Sequence, residues 1–102
     1  MLFGLSSSTL SLIHSVFANT ANIHRVRIFG SRALGRQREG SDIDLAIEGT
    51  EIDFNVLLDL RLKLENLQLP YRFDLVKLDR IEQKELREHI ERVGKVIFER
   101  EN

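Results

Sequence analysis

Residues 42–48 read Asp-Ile-Asp-Leu-Ala-Ile-Glu, and an alternation of that kind admits few folds. A β-strand turns successive side chains to opposite faces, so Ile43, Leu45 and Ile47 share one side while Asp42, Asp44 and Ala46 share the other. The apolar side must be covered. Two carboxylates two residues apart on a strand stand about 6.6 Å from each other. At an effective dielectric of about 20 they repel by roughly 2 to 3 kcal/mol, a cost that a divalent cation between them would reverse. Such a strand belongs in a sheet that is packed on one face and open, at least locally, on the other.

The neighbouring segments supply the rest of that sheet and its cover. The first 24 residues carry no Lys, Arg, Asp or Glu. Ser6, Ser7, Ser8, Thr9 and Ser11 interrupt the apolar block that a secretory leader needs, so a helix capped by Ser7 or Ser8 is expected instead, with Leu12, Ile13, Val16 and Phe17 at helical spacing and an end near Asn19. Arg25–Phe29 reads as a strand stopped by Gly30, with Ser31 capping a short helix through Gly35 and a loop over 36–41. A helix over 52–67 follows, its stripe formed by Leu57, Leu60, Leu64 and Leu67, with Asp59–Lys63 and Arg61–Glu65 at pairing distance and Pro70 as its stop. Tyr71–Leu78 is a third strand, with Tyr71, Phe73 and Leu75 on one face and Arg72, Asp74 and Val76 on the other. Asp79 is expected to cap a last helix built on Leu86, Ile90 and Val93, Gly94 to end it, and KVIFE to follow as an extended tail. The class is α/β (α+β), a small mixed β-sheet flanked by helices. A single domain over 1–102 is expected: an N-terminal helix (1–22), a core (23–78), and a C-terminal helix and tail (79–102).

Composition removes several functions. The 102 residues carry 15 Lys and Arg against 16 Asp and Glu, a net charge of -1, so nothing draws the chain in bulk to nucleic acid or anionic lipid. No direct nucleic-acid binding is expected, since Arg36 and Arg38 form a short basic run without interleaved aromatics. No apolar run nears the roughly 20 residues of a membrane span. The absence of cysteine excludes disulfides and thiolate metal sites and fits a reducing interior, so a cytoplasmic location is expected. His14, His24 and His89 lie on separate elements, which argues against zinc, and nothing supports a hydrolase triad.

The chemistry-bearing residues are Gly30 and Ser31 at a strand-to-helix junction, the Asp42/Asp44 pair, and Asp74 in an apolar strand. Together, Gly30-Ser31-Arg32-Ala33, the Ser41-Asp42-Ile43-Asp44-Leu45 run and Phe73-Asp74-Leu75-Val76 resemble the minimal nucleotidyltransferase (MNT) domain of the DNA polymerase beta superfamily, over about Ile23–Leu78. The resemblance implies a palm-like nucleotidyltransferase fold and magnesium-dependent transfer of a nucleoside monophosphate from a triphosphate, ATP being the expected donor, to a hydroxyl. It implies that Asp42, Asp44 and Asp74 are catalytic and hold two Mg2+ ions, and that Gly30, Ser31 and Arg32 bind the nucleotide. Small members of this kind sit beside a helical HEPN-domain protein, often a ribonuclease toxin, for which they act as antitoxin. A chain this short leaves no module to enclose a small acceptor, so a partner protein in a hetero-oligomer is the expected substrate. The alternatives are a small-molecule nucleotidyltransferase with a pocket completed by a homodimer, an RNA-tailing enzyme, and a contact inhibitor or nucleotide-binding module that uses Phe54, Leu58 and Leu62 to meet another chain.

Overall fold

A computed structural model of the chain describes residues 1–101; Asn102, the last residue of the expected tail, lies outside the described residues. The elements run α1 (Ser7–Ala18), β1 (Ile23–Phe29), α2 (Gly30–Ala33), β2 (Ile43–Gly49), α3 (Phe54–Glu65), β3 (Phe73–Lys77), a 3-10 turn (Leu78–Arg80), α4 (Lys84–Val93) and β4 (Lys95–Glu99). One mixed sheet has the strand order β3-β2-β1-β4. The β2–β3 pair is parallel, and β1 is antiparallel to both of its neighbours.

The alternation in β2 sets the layers. Ile43, Leu45 and Ile47 are fully buried and join Val26, Ile28 and Phe73 against Ile13 and Phe17 of α1 and Leu60 and Leu64 of α3. A smaller cluster covers part of the opposite face, where Ala46, Leu78 and Ile90 pack with Phe29, Val76 and Ile81. One step back along that face the cover ends, leaving Asp44 half-buried and Asp74 exposed. No helix among the described residues is long and apolar enough to cross a membrane.

Four local expectations are corrected. Ser6, not Ser7 or Ser8, caps α1, its hydroxyl accepting the Thr9 N–H at 3.1 Å. Arg61 does not pair with Glu65 but donates to the Phe73 carbonyl at 3.0 Å, tying α3 to β3, while Asp59 and Lys63 do pair at 3.0 Å. Asp79 caps nothing: it sits in the 3-10 turn, 3.6 Å from Lys77, and α4 begins after Gln83 without a side-chain cap. The KVIFE tail is a strand, antiparallel to β1 with Val26 opposite Phe98. Its partner lies about seventy residues earlier, a pairing that local patterning does not carry.

Leu64 is fully buried between α3 and the sheet. Leu64→Ala is expected to lower unfolding free energy by about 2 to 5 kcal/mol in urea titrations. A loss under about 1 kcal/mol would contradict the assignment of this face as the core.

Candidate active site

The row of functional groups crosses three strands. Asp44 of β2 stands in register with Asp74 of parallel β3 on one side and with Phe29 of antiparallel β1 on the other. The residue after Phe29 is Gly30, whose φ of +73° lies in the left-handed region. A β-carbon on Gly30 would collide with the Asp44 carboxylate, so glycine is required here both for conformation and for close approach. Asp42, exposed, precedes β2 by one residue. Gly30, Asp42, Asp44 and Asp74 therefore gather at one end of the sheet.

The like charges at that end repel one another. Burial raises the Asp44 carboxyl above its ordinary value, the charge of Asp74 raises it further and that of Asp42 adds to this, while Arg32 acts in the opposite direction. None of the three aspartates makes an ion pair among the described residues; Arg27, on the neighbouring strand β1, meets Glu48 at 3.2 Å. Hard oxygen donors on rigid strands, open to water on one side, are a donor set that suits magnesium, which takes one or two carboxylates and completes its shell with phosphate oxygens and water. Among the described residues no group of three or more His, Cys, Asp or Glu side chains is placed so that it could hold a metal ion by itself. The protein's carboxylates alone therefore complete no metal shell, and an incoming phosphate would have to supply further oxygens.

Ser31 lies in the first turn of α2 and does not cap it, since the cap position is Phe29 and has no side-chain bond. Arg32, expected to bind the nucleotide, has its side chain turned inward. It is only 3% exposed, and its guanidinium donates to the carbonyls of Ser41 (2.8 Å), Phe3 (2.9 Å) and Asp42 (3.3 Å) and stacks over Tyr71. The α2 turn aims it inward, towards chain segments that the local sequence does not show to be near. The histidines stay apart: His14 packs edge-on against Phe98 and His24 bonds Thr50, while His89 lies on α4. A cavity of about 480 Å³ beside Asp42, lined also by Gly40, Arg61, Tyr71 and Arg72, was not foreseen, because its walls come from separate segments. The Tyr71-Arg72 pair just ahead of the Asp74 strand was the signal for it.

Residues 12–102 match the family described as polymerase beta, nucleotidyltransferase. The chain is 32% identical over 98 residues to a probable protein adenylyltransferase MntA of Haemophilus influenzae, covering 95% of this chain and 85% of that protein. Among solved structures, a toxin-antitoxin crystallised with AMP-PNP superposes with a TM-score of 0.73 at 26% identity, over 90% of this chain and 74% of the other. A mutant MntA-HpeT toxin-antitoxin gives 0.67 at 20% identity (95% and 75% covered). A nucleotidyltransferase from Sulfolobus solfataricus gives 0.56 at 18% (95% and 92%). The last two are likenesses of fold.

A carboxyl raised in the folded state lowers stability as pH climbs from its unfolded pKa through its folded one, and has no effect when it is protonated in both states. Asp44→Asn is therefore expected to raise the Tm of the metal-free protein at about pH 7 and to leave it unchanged at about pH 2. Thermal melts at both pH values check this, and an equal effect at both would refute it. Gly30→Val, which drives a branched side chain into the Asp44 carboxylate, is expected to abolish calorimetric ATP binding; unchanged binding would place the phosphate site elsewhere.

Proposed function

Because the chain belongs to the polymerase beta nucleotidyltransferase family, we propose that it transfers AMP from ATP to a hydroxyl on a partner protein, and that the partner is a toxin of the HEPN class which it silences. The observation that carries this reading is the register of Asp44 opposite Asp74, against a glycine that leaves room beside the carboxylate. The adenylyltransferase name of the Haemophilus relative and the toxin-antitoxin neighbours support the acceptor class, and the neighbour crystallised with AMP-PNP supports ATP as donor. On this reading residues 1–102 act as one minimal catalytic domain in the cytoplasm, with a partner chain completing the acceptor wall.

Each residue has a stated task. The Gly30 backbone and the Ser31 hydroxyl bind the β and γ phosphates, and Asp42 and Asp44 would hold the magnesium that accompanies the triphosphate. Asp74 would hold the second ion, and it takes the acceptor's proton. Two bound Mg2+ ions would neutralise the triphosphate and stabilise the leaving oxygen. The acceptor oxygen forms a bond to the α-phosphorus as the bond from that phosphorus to the bridging oxygen breaks, and pyrophosphate departs on the Gly30 side. Attack in line then comes from the β3 side, where Asp74 stands.

A contact-inhibitor reading has one observation in its favour. Phe54, Leu58 and Leu62 repeat every four residues along α3 and are 72%, 43% and 51% exposed, an apolar stripe turned away from the core. Label transfer from ATP to the co-expressed partner separates the two. Asp42→Asn with Asp44→Asn is expected to bind the partner normally yet leave it unlabelled and active, and Asp74→Asn to lower transfer at least about 100-fold. Full protection by the double variant, with no label on the partner in either case, would replace the enzymatic reading with the contact one.

A further inference from the structure

Arg32 follows Gly30 and Ser31, where a solvent-facing guanidinium would reach phosphate. Its environment is different. At 3% exposure it makes no ion pair among the described residues, and the donors it uses go to backbone carbonyls. Nη2 and Nε converge on the Ser41 carbonyl at 2.8 and 3.3 Å, Nε also reaches the Asp42 carbonyl at 3.3 Å, and Nη1 donates to Phe3 at 2.9 Å. The guanidinium carbon lies over the Tyr71 ring, 4.8 Å from its centre. The N-terminal turn closes over it, so that a β-carbon on Gly4 would come within 3.1 Å of Nη1.

These contacts fall just where the sheet stops supporting the chain. The β2 ladder begins at Ile43, whose N–H donates to the Arg72 carbonyl at 2.8 Å. Asp42 lies one residue outside it and is exposed. Tyr71 likewise precedes β3, which begins at Phe73. A buried cation is costly unless its donors are satisfied, and here carbonyls of two chain segments and an aromatic face satisfy them. A forked, planar group can hold two adjacent carbonyls at once; an ammonium is a single point and cannot.

We propose that Arg32 is a positioning residue that anchors the Ser41–Asp42 backbone and the Tyr71 ring, thereby setting Asp42 at the distance from Gly30 and Asp44 that a metal-bound triphosphate requires. The proposal rests on the reading of Asp42 and Asp44 as metal-holding groups, and it assigns Arg32 no contact with nucleotide. A residue that orients metal-holding groups from behind typically affects metal affinity by 10- to 100-fold.

The test is Arg32→Lys in the full chain, with Tyr71→Leu as a second variant that removes the stacking partner and leaves the guanidinium. Three readouts are taken: amide hydrogen exchange of the 38–44 segment, ATP binding by calorimetry in chelator, and the Mg2+ concentration at half-maximal label transfer. Arg32→Lys is expected to speed exchange in 38–44 at least about tenfold while α3 is unchanged, to raise the Mg2+ midpoint about tenfold or more, and to leave metal-free ATP affinity as it was. Tyr71→Leu is expected to move the same readouts in the same direction by a smaller factor, about threefold. If lysine preserves both exchange and midpoint, or if the loss appears in metal-free ATP affinity, the positioning role is wrong and Arg32 acts as a charge near phosphate. If Arg32→Lys does not fold, Tyr71→Leu decides, and an unchanged 38–44 segment in that variant overturns the proposal. Absence of magnesium-dependent transfer in the unaltered protein would instead sink the functional reading, while the exchange result stands on its own.

Discussion

The parallel register of β2 and β3 sets Asp44 opposite Asp74, and most of what is distinctive about this molecule follows from that pairing of like charges. A half-buried carboxylate facing another is unfavourable, burial and the Asp74 charge both pushing the Asp44 carboxyl upward. The fold keeps the pair because the opposite face of the same strands is a continuous apolar layer. Ile43, Leu45 and Phe73 lock the two strands to α1 and α3 with a burial free energy that local repulsion cannot overcome. The strand cannot slip to separate the charges without turning that layer to water.

The remaining constraints around the pair are steric and then cationic. On the β1 side glycine follows Phe29 with a left-handed φ of +73°, and a side chain at position 30 would displace the Asp44 carboxylate. On the face that carries the aspartates, α4 and the 3-10 turn cover Ala46 and stop, so the cluster is partly desolvated yet reachable. Arg32, buried behind the cluster, moderates the Asp44 carboxyl without closing an ion pair with it. The result is a negatively charged recess, partly desolvated and open to water on one side.

What could be read from the chain beforehand followed the range of the interactions concerned. The alternation in 42–48, the leucine stripe of α3 and the glycine stop at Gly94 are local patterns, and each has its counterpart in the fold. Ser6 and Asp53 as caps depend on which of several neighbouring polar residues reaches an N–H, and composition cannot choose among Ser6, Ser7 and Ser8. KVIFE was legible as extended but not as a strand, since its hydrogen bonds go to a segment at the other end of the chain. The aspartates were legible because their spacing and apolar flanks are visible in one dimension, although their convergence needed the β2–β3 register. The placement of Arg32 was not legible: its partners, Phe3, Ser41, Asp42 and Tyr71, come from three separate stretches, and nothing in Gly-Ser-Arg-Ala says whether the arginine turns inward or outward.

The central claim is that these carboxylates form a receptor for a metal-bound triphosphate, and calorimetric titration of ATP in magnesium and again in chelator tests it most directly. Without a cation the triphosphate meets Asp42, Asp44 and Asp74 as like charges, whereas with one the same groups become its anchors. The account predicts affinity at least about tenfold tighter in magnesium, some 1.4 kcal/mol. Equal affinity under both conditions would contradict it.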